Sequence, residues 1–281
     1  KILELLDKNT DPEQVENIEN YKLHLYEDIS NNLYDYVPDK TSDIAEITLK
    51  NLEKSTDTDR IILLCNKMIN GSLIAGNYNH ALELTHKVLS LLPPSSLNPS
   101  DANFNSYFFL MSVIHIQILF NIGALADCLD IGYKVLNIIN NQTLSTLKPD
   151  YMSDDDFRSL IVDSAGYVAL ANVLLLVGNV DEFLKILRTD LNCIPQSYDL
   201  FIALQNLLHG KKVAGLSQNV SDNDRFGAII LNIINAFLNF SGDYTTFAED
   251  IYRAKVAAKR NRLHQLELFA DLMIGYAYMQ L

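Results

Sequence analysis

Apolar residues recur at spacings of three and four along nearly the whole chain, and no stretch alternates with period two over a useful length. That spacing fits a 3.6-residue helix with a buried stripe and does not fit a pleated strand. It predicts helices near 10–36, 42–54, 59–75, 78–92, 102–122, 124–140, 154–177, 180–190, 197–209, 222–241, 244–260 and 262–281. Thr10-Asp11-Pro12-Glu13 starts the first of these with an N-cap, a proline and an early acid, and Pro38 closes it. Loops are expected at Pro93-Pro94-Ser95-Ser96, at Leu147-Lys148-Pro149 and from Lys211 to Asn219. Helices joined by short connections without strands make either a bundle or a stacked array.

An internal repeat separates the two. Gly76 is followed by Tyr78 two residues on, Ala81 five on, Val88 seven beyond that, and Pro93 five further. Gly123, Leu125, Cys128, Val135 and Asn140 keep part of this order, as do Gly178 with Pro195, and Gly242 with Tyr244, Phe247, Ile251 and Ala254. Small residues at those steps let the second helix of a pair lie close on the first, and proline ends it. The pattern resembles the tetratricopeptide (TPR) repeat, closely over residues 62–93 and more loosely over 60–281. The turn glycines are 47, 55 and 64 residues apart, against about 34 in regular arrays. The likeness is to the irregular repeats of MalT-type signalling proteins and of eukaryotic assembly scaffolds.

That resemblance implies an all-α fold: a right-handed α-solenoid of antiparallel helix pairs, about twelve helices in one continuous superhelix. Residues 1–57 would form an N-terminal cap or a divergent first repeat, and 58–281 the irregular repeats. It also implies a concave groove lined by the first helix of each pair, where a peptide or partner helix is held. The amides on those helices, Asn66, Asn70, Gln117, Asn121, Asn172, Asn232 and Asn235, are the candidate groove residues. Residues 270–281 read as the first helix of a further pair, with Gly275 and Tyr278 at its small and aromatic positions. The expectation is that the natural chain continues past Leu281, since an unpaired helix of this kind exposes an apolar face.

Charge narrows the partners. The formal net charge is −13, and residues 1–60 carry 15 acidic against 7 basic side chains. Duplex nucleic acid and anionic membranes both select for clustered Lys and Arg, so the expected partner is a protein or peptide, with a small-molecule effector as the other option. No run of 18 apolar residues free of charge and amide is present, so no membrane span is expected. Cys65, Cys128 and Cys193 are odd in number and far apart, which suits thiols packed as small hydrophobes in a reducing, cytoplasmic or nuclear compartment.

Chemistry is thinly marked. Histidines stand at 24, 80, 86, 115, 209 and 264 with no His-x-x-x-His pair, and no phosphate loop, dinucleotide fingerprint or nucleophile elbow occurs. No cofactor, metal or catalytic residue is expected. Asp154-Asp155-Asp156 after Ser153 reads either as a cation site or as the acidic first turn of a capped helix, and the capped helix needs no further partners. Arg253, Lys255, Lys259, Arg260 and Arg262 gather five cations in ten positions of an acidic chain. Lys255, Lys259 and Arg262 would share a helix face. This is either a solvated face near a helix C-terminus or a docking patch for an acidic segment. Two functions follow from the resemblance: a non-catalytic protein-interaction scaffold, or a ligand-sensing module of a multidomain regulator.

Overall fold

Five turns share one hydrogen-bond pattern, and they set where the helices stop. In each, a residue with positive φ donates its N–H to the carbonyl three residues back, and the next residue donates to the carbonyl five back. The pairs are Gly76→Leu73 with Asn77→Ser72, Gly123→Phe120 with Ala124→Leu119, and Leu176→Val173 with Val177→Asn172; Gly210→Leu207 with Lys211→Asn206, and Arg262→Lys259 with Leu263→Ala258, complete the set. This is the Schellman arrangement, which satisfies the last carbonyls of a helix and favours glycine at the left-handed position. Gly76 (φ 76°), Gly123 (86°), Gly178 (70°) and Gly242 (96°), the glycines of the sequence repeat, all have positive φ. After residue 175, however, the helix-ending position belongs to Leu176 (φ 53°), with Gly178 two residues later.

The computed structural model describes residues 45–50, 58–92, 97, 104–150, 152–178, 180, 198–213 and 226–281. The expected helices at 10–36 and 180–190 lie outside these residues apart from Val180, as does most of the expected cap to residue 57. The described residues are helical, with no strand among them. Besides a helical stretch at 45–50 they form α1 (Thr58–Ala75), α2 (Tyr78–Leu91), α3 (Ser106–Asn121), α4 (Leu125–Asn141) and α5 (Leu144–Leu147). These are followed by α6 (Asp154–Leu175), α7 (Tyr198–Leu208), α8 (Gly227–Leu238), α9 (Tyr244–Arg260) and α10 (His264–Gln280). Most bounds fall within a few residues of the periodicity. α3 starts four residues later than expected because the Asn105 side chain accepts from the N–H groups of Tyr107 (2.9 Å) and Phe108 (3.2 Å) and caps the helix there. The short α5 was not expected. Ser153 caps α6 by accepting the Asp156 N–H at 3.1 Å, with three acids in the first turn, so the acidic triplet is a helix start.

The chain forms two compact units, Lys1–Pro93 and Pro94–Leu281. In the first, α1 packs on α2, with Cys65, Met68 and Ile69 of α1 and Ala81 and Val88 of α2 fully buried. His80 ties the turn region to the 45–50 stretch, with Nδ1 3.0 Å from the Ser72 hydroxyl and Nε2 3.2 Å from the Glu46 carboxylate.

In the second unit α3, α4 and α6 pack on one another, α6 meets α7, and α7 through α10 follow in sequence. α10 also reaches back to α3, where Gln265 Nε2 donates to the Asn121 carbonyl at 3.5 Å. Repeats that touch only their neighbours would not make that contact. α6 is 22 residues long and, by length and hydropathy, apolar enough to cross a membrane, although 61% of its apolar window is buried inside the fold. Its fit is tight on both sides. A Cβ on Gly132 of α4 would lie 2.3 Å from Val168 Cγ2, and one on Gly166 would lie 2.8 Å from a ring carbon of Phe226. A row of rings runs through this core: Phe120 to Tyr167 at 5.1 Å, Tyr167 to Phe226 at 5.2 Å, Phe226 to Phe201 at 6.2 Å, and Phe201 to Tyr198 at 5.4 Å.

Two stability measurements check this packing. Gly132→Ala is expected to cost about 1–3 kcal/mol through overpacking, and removing Val168 branches in the double variant Gly132→Ala/Val168→Ala should recover part of that cost. Additive effects in a urea-unfolding cycle would contradict the close contact. Leu176→Gly is expected to raise stability by about 0.5–1 kcal/mol by relieving a left-handed leucine. An unchanged or lower urea midpoint would count against it.

Candidate functional site

α10 is apolar on two opposite sides. At about 100° per residue, Leu266, Ala270 and Ala277 fall on one side and are buried, with α9 packed on the helix. Leu268, Leu272, Gly275 and Met279 fall on the other, within about 60° of one another. That side is open: Leu268 is 60% exposed, Leu272 64% and Met279 76%. Nothing lies within 4 Å of where a Cβ on Gly275 would stand. A helix that is apolar all round normally has both sides covered. α3 shows the ordinary outcome, with eleven of its sixteen residues buried.

Aromatic rings extend the open face towards the α8–α9 turn. Tyr276 (46% exposed) meets Tyr244 edge-on at 6.4 Å, and Tyr244 lies 5.0 Å from Phe240, which is itself exposed. Phe240 packs at 5.5 Å on Phe247, and Phe247 at 5.3 Å on Phe237, so the row is anchored in the α8–α9 core. Tyr244 is fixed because Asp243 caps α9. Its carboxylate accepts the Thr246 hydroxyl at 2.6 Å and the N–H groups of Thr246 and Thr245, and these donors, the hydroxyl first, hold the carboxyl below its ordinary range. An exposed contiguous apolar face rimmed by polar groups marks an interaction surface.

The residues singled out from the sequence are placed differently. Asn66 and Asn70 lie in the first unit, the first buried and the second exposed. Of the other five, Asn121 and Asn172 are buried, Gln117 and Asn232 half-buried, and Asn235 exposed. Asn172 is fully buried; its amide donates to the Val168 carbonyl at 3.0 Å and its carbonyl accepts the Tyr133 hydroxyl at 2.7 Å. Both ends of its amide are engaged within the core. Asn121 turns back on its own helix, donating to the Gln117 carbonyl at 2.9 Å, as side chains of this type do inside helices.

The basic cluster is also redistributed. Arg253 pairs with Asp250 at 3.3 Å, and Lys255 donates to Asp271 of α10 at 2.6 Å. Lys259 and Arg260 are exposed in the last turn of α9, where cations suit the helix dipole. Arg262 lies beyond the last helical residue, Arg260, and takes a left-handed φ of 56°. The hydrogen bond from Lys255 to Asp271 raises the lysine above its ordinary value of 10.5.

Cys65 and Cys128 are buried, as expected of thiols packed as small hydrophobes, and Cys193 lies outside the described residues. Burial pushes the Cys128 thiol up to about 12, which makes it a poor nucleophile. No three metal-ligating side chains come together among the described residues. The chain matches no protein-family model, no curated protein and no solved structure.

The terminal helix and its apolar face were expected from the sequence, although the candidate contact residues were the amides and the basic cluster. The signal for the face itself was present: between Leu272 and Leu281 there is no charged residue on either side of the helix. Because a lysine raised in the fold contributes stability below its unfolded pKa and loses it as pH rises through the folded one, the Lys255–Asp271 contribution is present at neutral pH. In Asp271→Asn that contribution should disappear, so the stability gap from the unmodified chain should be constant through neutral pH and close in the alkaline limb above the ordinary lysine value. A gap that persists unchanged there would show that Asp271 acts otherwise.

Proposed function

We propose that this chain is a non-catalytic protein-interaction scaffold whose exposed α10 face holds a helix of a partner. One observation carries the reading: the doubly apolar α10, with Leu268, Leu272 and Met279 open and Gly275 offering a close approach between them. A helix laid on such a face buries apolar area on both partners and needs no charge, which is the helix-in-groove mode of recognition. The architecture proposed is an irregular TPR-like right-handed α-solenoid. The positive-φ glycines between α1 and α2, α3 and α4, and α8 and α9 support it, as do the buried small residues Ala81, Cys128 and Ala254 that follow them. The array is irregular in the spacing of its turn glycines, which are 47, 55 and 64 residues apart. The acidic balance argues against nucleic acid as the partner, and the buried thiols suit a cytoplasmic or nuclear setting.

The test compares the chain with its Leu272→Glu variant as bait in cell extract. Leu272 is on the surface, so the variant should keep the helical spectrum and thermal midpoint of the unmodified chain. Partner proteins retained by the unmodified chain should be absent from the variant. The same proteins on both baits would sink the reading, as would saturable small-molecule binding with no protein retained at all.

A further inference from the structure

We draw no further inference here: the strongest candidate, the hydrogen-bonded Ser72–His80–Glu46 cluster joining α1, α2 and the 45–50 stretch, carries no chemistry because Ser72 is 3% exposed within α1 and its hydroxyl is closed to a substrate.

Discussion

Within Pro94–Leu281 the packing depends on how closely other elements approach α6. Gly132 lets α4 come within side-chain contact of Val168, and Gly166 admits the Phe226 ring from the segment leading into α8. Between those two approaches lies Tyr167, which touches Phe120 on one side and Phe226 on the other. A methyl group added at either glycine would push the layers apart. Interiors packed at crystal-like density have no slack to absorb that. Most of the apolar length of α6 is buried within the fold.

Closing α6 in this way obliges its polar side chains to find partners inside. Ser164 donates to the Val113 carbonyl at 3.1 Å, and Asn172 bonds its own helix and Tyr133 of α4. A buried amide with both ends engaged holds helices in one register and has little left for a visiting ligand. Exposed apolar side chains of this unit lie instead on the outer side of α10, at Leu268, Leu272 and Met279. The amides and the apolar face are two answers to one question, namely which sides of which helices are covered.

Much of the helical layout was legible because its causes are local. Positive φ is disfavoured wherever a Cβ is present, so Gly76, Gly123 and Gly242 announce turns without reference to anything distant. Ser153 with three following acids announces a helix start in the same way. Leu176 and Arg262 were not legible as turn residues, since they adopt the left-handed conformation against their own preference and only the surrounding hydrogen bonds hold them there. The burial of Asn172 was hidden for another reason. Helical period gives the face a residue lies on, but not which neighbour covers that face. Tyr133, 39 positions away, decides it.

Gln205 in α7 shows where such distant decisions lead. Its buried amide accepts the Val180 N–H at 3.0 Å and donates to the Gly178 carbonyl at 3.4 Å, so the backbone just after α6 is completed by a side chain from the next described helix. If α7 detaches, those two backbone groups lose their partners, and the turn held by Asn172 loses its outer support. Detachment of α7 therefore also uncovers the backbone just after α6. Local fluctuation at this turn is coupled to the cooperativity of the surrounding helices, and the turn behaves as part of a larger opening element despite its position near the surface.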